Sequence, residues 1–215
     1  MPHPTITALR SLVDSRFPAS VRKAGDGLCT GVPAIDEALG GGLPPGRLTE
    51  LVSERTGRGG QLAFTRLLVT TRGARQRVAL VDAADGFAPE SVPPDALRHL
   101  VWVRPRSLTE TMAVTDVLVR DGNYAVVIVD LRGLAERELL SLPKAQWHRL
   151  QRAVESRPTA VLVQTTRGLV PAVPWRLTLQ TATGLSGRRV PQEKLATALT
   201  VAVARGHVMP EEKAG

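Results

Sequence analysis

GRLTELVSERTGRGG, residues Gly46 to Gly60, decides how the rest of the chain is read. A short apolar run (Leu48, Leu51, Val52) feeds a glycine-rich loop, and the loop feeds the helix-like QLAFTRLLV. That order is the layout of a phosphate-binding loop. In such a loop backbone N–H groups and a helix N-terminus face the phosphates, a lysine reaches the β- and γ-phosphates, and a Ser/Thr hydroxyl holds Mg²⁺. The layout is present here without that chemistry. Set against G-x-x-x-x-G-K-[ST] from Ser53, the chain offers Ser53 for the first glycine, Arg58 for the second, Gly59 for lysine and Gly60 for the hydroxyl residue. Moved back one residue, the frame gains Gly57 as second glycine and Arg58 at the lysine position, but Val52 then takes the first glycine and Gly59 the hydroxyl position.

Working outward, apolar periodicity predicts alternating strands and helices. Upstream, TGVPAIDEALGGGLPPGRLTEL holds a short helix around Ile35, Ala38 and Leu39, ended by Gly40, Gly41 and Gly42, and then the strand Leu48 to Val52. Downstream come a helix over Leu62 to Thr71, a buried strand over Arg77 to Asp82, and a strand over Leu100 to Val103. Ser107 and Glu110 are spaced as a capping box for a helix that stops at Asp121-Gly122. YAVVIVD, Tyr124 to Asp130, is a continuous apolar strand of the kind covered on both faces. Leu134 to Ser156 is mostly helical with a break at Pro143, and Thr159 to Gln164 is a further buried strand. Trp175 to Thr181 and Ala198 to Ala204, separated by the turn-rich stretch Gly184 to Pro191, read as an antiparallel edge pair.

This alternation implies an α/β fold with a mostly parallel central sheet, right-handed crossovers and helices on both faces. Its working edge is the carboxyl end of the strands, where the loop, Asp82, Arg104, Asp130 and Gln164 collect. With 215 residues, 43% of them hydrophobic, the chain buries one substantial core. Residues 28–208 are expected to form that core domain, preceded by an N-terminal helix and linker (1–27) and followed by a flexible tail (209–215). In the N-terminal segment Ile6, Leu9, Leu12 and Val13 recur at helical spacing. Such a helix either covers its own sheet or reaches a neighbouring subunit.

The net charge of +8 is compatible with nucleic-acid binding, although an arginine-rich solvated surface produces the same figure. One cysteine, Cys29, excludes an internal disulfide, and four scattered histidines offer no metal-ligand spacing, so no metal site is expected. No apolar run reaches the roughly 18–20 residues that span a bilayer, and a cytoplasmic protein without membrane contact is expected.

Three stretches, TGVPAIDEALGGGLPPGRLTEL (Thr30 to Leu51), VALVDAADGFAP (Val78 to Pro89) and YAVVIVDL (Tyr124 to Leu131), resemble the core of the RecA family of recombination ATPases. The resemblance runs from about Ala19 to about Val203 and does not extend to that family's C-terminal lobe. Among relatives of this size the chain is most similar to the ImuA family, RecA-like accessory proteins encoded beside ImuB and an error-prone polymerase in bacterial mutagenesis cassettes. The short length, the degenerate loop and VWVRPR (Val101 to Arg106) carry that likeness.

The resemblance implies a RecA-like nucleotide-binding core whose site has lost its chemistry. Ser53, Gly57, Arg58, Gly59, Gly60 and Asp130 then form a vestigial nucleotide site with no catalytic residue. The family's water-activating glutamate corresponds to Ala84, with Asp85 one residue out of register. Its nucleotide-sensing glutamine corresponds to Thr165, with Gln164 adjacent. No cofactor is expected beyond weak ATP or phosphate binding. An Asp closing a buried strand, like Asp130, also has the plain reading of a polar turn residue. By the same resemblance, Leu9, Leu12, Val13 and Val21 belong to an arm that docks on a partner, which is RecA, ImuB or a second copy. DNA contact, through Arg167, Arg176 and Trp175 after the later strands, is expected to be weak or indirect. The implied function is non-catalytic and lies in damage-induced translesion mutagenesis. A divergent ATPase using Arg58 and Asp85, or a nucleic-acid-binding module, are the alternatives.

Overall fold

The computed structural model describes residues 27–55, 57–180 and 190–205. The arm residues Leu9, Leu12, Val13 and Val21 lie outside this range, as does the tail. Seven strands form one sheet: β1 Leu48–Val52, β2 Val78–Asp82, β3 Leu100–Val103, β4 Val126–Asp130, β5 Ala160–Thr165, β6 Trp175–Leu179 and β7 Val201–Arg205. Their spatial order is β3-β2-β4-β5-β1-β6-β7. Every neighbouring pair is parallel except β6 with β7, which is antiparallel. This is the mostly parallel sheet with an antiparallel edge pair that the periodicity predicts.

β1, β2, β4 and β5 are buried along their whole length because helices cover both faces. Alternate residues of each strand divide between the two layers. Leu51, Leu80, Ile128 and Leu162 pack with Phe64, Leu67 and Leu68 of α2 (Gly60–Gly73). On the opposite face Val81, Val129 and Val163 pack with Met112 and Val119 of α3 (Leu108–Asp121) and with Trp147, Leu150 and Val154 of α5 (Lys144–Glu155). The remaining helices are short: α1 (Pro33–Ala38), α4 (Glu136–Leu140) and α6 (Gln192–Thr197).

The punctuation residues act locally as their chemistry dictates. Gly122 ends α3 in the left-handed conformation, and Pro143 stands at the N-cap of α5, separating it from α4. Gly42, at φ +121, lets the chain cross Leu28, whose carbonyl oxygen would lie 2.2 Å from any Cβ there. The Leu28–Leu43 bridge therefore needs glycine.

Three expectations are corrected. Ser107 accepts from the Glu110 N–H at 3.2 Å, but the Glu110 carboxylate reaches one residue further back than a capping box requires, to the Arg106 N–H at 2.8 Å. The helix α6 precedes the last strand, where the sequence reading passes from the turn-rich stretch to strand. Gln192–Thr197 is a single helical segment of six residues with only Ala196 buried, too short to display a period. The last strand accordingly starts at Val201 rather than Ala198, since Ala198 to Thr200 complete the exit from that helix.

Candidate functional site

Strand register brings the functional candidates to one edge. Asp82 pairs with Asp130 across β2 and β4, Asp130 with Gln164 across β4 and β5, and Val52 with Thr165 across β1 and β5. Beyond Val52 the loop leaves the sheet with the Ser53 N–H donating to the Thr165 carbonyl at 2.8 Å. It turns through Gly57 (φ +86) and Gly59 (φ +95), both left-handed, and enters α2 at Gly60. Ser53, Gly57, Gly59, Gly60 and Asp130 line one cavity of 810 Å³ together with Arg55, Asp82, Ala84 and Arg132. Arg58, the sixth candidate, is not part of that lining. Its Nη1 donates to the Gln180 carbonyl at 2.7 Å, tying the loop to the end of β6.

Both carboxylates of the cavity are engaged from within the chain. Asp82, buried, accepts from the Gly86 and Phe87 N–H groups at 2.9 and 3.0 Å and from Trp102 Nε1 at 3.2 Å. It thereby fixes a loop whose Phe87 ring stands edge-on between Phe64 and Trp102. Asp130 holds the guanidinium of Arg132 by two parallel contacts, Nε at 2.8 Å and Nη2 at 2.5 Å, and accepts the Arg132 N–H at 3.1 Å. The same guanidinium lies against the first turn of α2. A Cβ on Gly60 would sit 2.5 Å from Arg132 Nη1 and 3.1 Å from Ser53 Oγ. The first residue of the helix therefore has a cation beside it, where a phosphate-binding loop holds an anion.

The remaining candidates are placed as follows. Ala84 abuts Gly133, whose added Cβ would meet the Ala84 Cβ at 2.4 Å. Asp85, in the left-handed region at φ +51, pairs with Arg104 at 3.4 Å, and Arg104 stacks over the Trp102 ring. Gln164 is buried, and neither polar atom of its side chain has a partner among the described residues. Arg167 pairs with Glu136. Among the described residues no group of three or more His, Cys, Asp or Glu side chains could hold a metal ion, and no helix is long and apolar enough to cross a membrane.

Two residues that sequence reasoning passed over organise this edge. Arg132 carries a signal in hindsight, as a cation two residues beyond the strand-closing Asp130. Glu50 carries none, because it stands inside the apolar strand β1, where it is fully buried. Its Oε1 accepts from Leu169 N–H at 2.6 Å, Val170 N–H at 3.2 Å and Thr165 Oγ1 at 3.2 Å, and its Oε2 accepts from Arg176 Nε at 2.5 Å. Arg176, expected at a nucleic-acid backbone, is thus spent on a buried carboxylate and on the Val170 carbonyl at 2.8 Å. The segment following β5 is pinned to the sheet through these contacts.

No family model matches the chain. Against curated proteins, the chain is 31% identical over 115 residues to the DNA repair and recombination protein RadB of Thermococcus kodakarensis, covering 48% of this chain and 50% of that one. RadB of Thermococcus gammatolerans is 32% identical over 116 residues, with 48% and 50% covered. Protein RecA of Chlorobium chlorochromatii is 30% identical over 122 residues, covering 52% of this chain and 34% of that protein. The matched stretch thus spans half the length of the RadB relatives and a third of that RecA. The sheet, the loop at its carboxyl edge and these matches agree: the chain carries a RecA-like core, homologous over about half its length to protein RecA and to the DNA repair and recombination protein RadB.

Proposed function

We propose that this chain is a RecA-like accessory protein of the ImuA kind, a non-catalytic adaptor in damage-induced translesion mutagenesis that acts through contacts with RecA, ImuB or a second copy of itself. The observation that carries the reading is the Asp130–Arg132 pair. A nucleotide site must present a carboxylate to Mg²⁺ and N–H groups to phosphate. Here the carboxylate is neutralised by an internal guanidinium, and that guanidinium lies beside Gly60, the first residue of α2. The loop supplies no lysine and has glycine at both candidate hydroxyl positions. Arg58 does not replace the lysine, because its guanidinium is turned to Gln180. The residues present therefore fit Mg-ATP poorly, and no hydrolytic step is assigned to them.

A fold retained beside such a site acts by surface recognition. The N-terminal segment with Leu9, Leu12, Val13 and Val21 is our candidate for the docking arm. Thermal unfolding with excess Mg-ATP tests the first half of the reading. A ligand at about 100 times its Kd would add roughly 2.7 kcal/mol of stability, whereas no shift and no phosphate release are expected. A clear shift would favour a divergent ATPase. Co-purification of RecA or ImuB with the full chain, lost on deletion of residues 1–25, tests the second half. Retention of neither partner and no self-association would remove the adaptor reading.

A further inference from the structure

Four of the 28 lysines and arginines behind the net charge of +8 line one groove. At the amino-terminal edge of the sheet, opposite the phosphate-loop cavity, the C-terminal ends of α3 and α5 come together. A groove of 390 Å³ runs along α5 from Ala145 to Arg157 and is lined by four arginines, Arg120, Arg149, Arg152 and Arg157. All four residues are exposed. The carboxylates around the groove are few and already engaged. Asp116 pairs with Arg120 at 2.9 Å and approaches Arg149 at 3.7 Å, Glu155 is turned to Arg47 at 3.4 Å, and Asp121 accepts from Asn123. Among the described residues no carboxylate pairs with Arg152 or Arg157.

A cation at a helix C-terminus complements the helix dipole, a role that Arg120 and Arg152 fill in the last turns of α3 and α5. Asp116, shared between Arg120 and Arg149, offsets one of the four positive charges, and the remaining excess is neutralised when a polyanion lies in the groove. The rest of the lining is Ala145, Ala153 and Ser156, which offers an acidic protein segment no pocket for an apolar anchor. It also offers no aromatic face on which an unpaired base could stack. What remains is recognition of regularly spaced phosphates by guanidinium groups, which needs neither.

We infer that this groove is a sequence-independent binding surface for the phosphate backbone of duplex nucleic acid, separate from the phosphate-loop edge. The inference rests on the groove alone and stands whether or not the adaptor reading does. If the four arginines neutralise four phosphates, duplex affinity falls roughly 150-fold between 50 and 200 mM salt, following a log–log slope of about −0.9 per contact. The double variant R152Q/R157Q removes the two arginines without a carboxylate partner, and by the same rule the fall shrinks to about 12-fold.

The measurement is fluorescence anisotropy of a labelled DNA duplex, with single-stranded DNA and polyglutamate as comparison ligands, on the full chain and on the variant, whose thermal midpoint should match the parent. Duplex binding at 50 mM salt, tighter than single-strand binding and with the reduced slope in R152Q/R157Q, supports the inference. Absence of duplex binding at 50 mM salt overturns it. So does an unchanged slope in the variant, or polyglutamate binding more tightly than the duplex with the same arginine dependence.

Discussion

Replacing Glu50 by glutamine should cost about 3 kcal/mol of folding stability and release the segment after β5. The wild-type carboxylate is fully buried and accepts four hydrogen bonds, one of them from a guanidinium at 2.5 Å. In the glutamine variant the amide oxygen can keep the three contacts on the Oε1 side, now as neutral hydrogen bonds. The NH₂ group takes the other position and faces Arg176 Nε, donor against donor. Breaking one member of a buried ion pair costs about 3–5 kcal/mol. The Arg176 side chain retains 34% exposure and can be rehydrated, which puts the effect at the lower end of that range. For a chain of this length about 3 kcal/mol corresponds to a fall of roughly 6–12 °C in Tm. Urea unfolding measures the energy, and hydrogen exchange at the Leu169 and Val170 amides reports the local release. A loss below about 1 kcal/mol with unchanged exchange at both amides would refute the reasoning. A double-mutant cycle with Arg176→Met isolates the pair, and additive effects would show that Glu50 acts by packing rather than by charge.

Two further outcomes rest on contacts elsewhere in the core and at the loop. His99 is buried, and burial, reinforced by Arg72 and opposed by Asp95, lowers its pKa from 6.5 to about 4. Its Nε2 lies 2.8 Å from Thr71 Oγ1, whose hydroxyl is directed at the Leu67 carbonyl at 2.7 Å, so Nε2 donates and the proton gained in acid must go to Nδ1, which has no partner among the described residues. The unfolded chain binds this proton near pH 6.5 and the folded chain only near pH 4. Stability should therefore fall as pH drops through that window, by up to about 3 kcal/mol, and denaturation midpoints of the wild type and His99→Asn should converge in acid. At the loop, Gly59→Ala combines a left-handed backbone (φ +95) with a Cβ 2.4 Å from Leu199 Cδ2, and should cost about 1–3 kcal/mol. Introduced into a Leu199→Ala background, the same substitution should lose only the backbone part in a thermal melt compared with Leu199→Ala alone.

The alternation of strands and helices was legible because each buried strand is a short continuous apolar run and each long helix carries a regular stripe. YAVVIVD announces itself in this way, whereas the buried face of α3 includes Thr111 and Thr115 and leaves Val117 exposed. The weak points were elements with no periodic signal to give. Gln192–Thr197 is six residues with one buried side chain, and its role is tertiary: Leu195 lines the large cavity, and Leu199 just beyond it packs on Gly59.

Sequence alone determined that the chain is α/β, that its carboxyl edge gathers a glycine-rich loop with Asp82 and Asp130, and that this loop lacks the lysine and the hydroxyl of a phosphate site. Those statements depend on residue type and on local spacing. Only the tertiary structure decided where the charges go, because ion pairing depends on distance in space rather than along the chain. It turned Arg58 to Gln180, joined Glu50 to Arg176 across 126 positions, laid Arg132 over the start of α2, and gathered Arg120, Arg149, Arg152 and Arg157 into one groove.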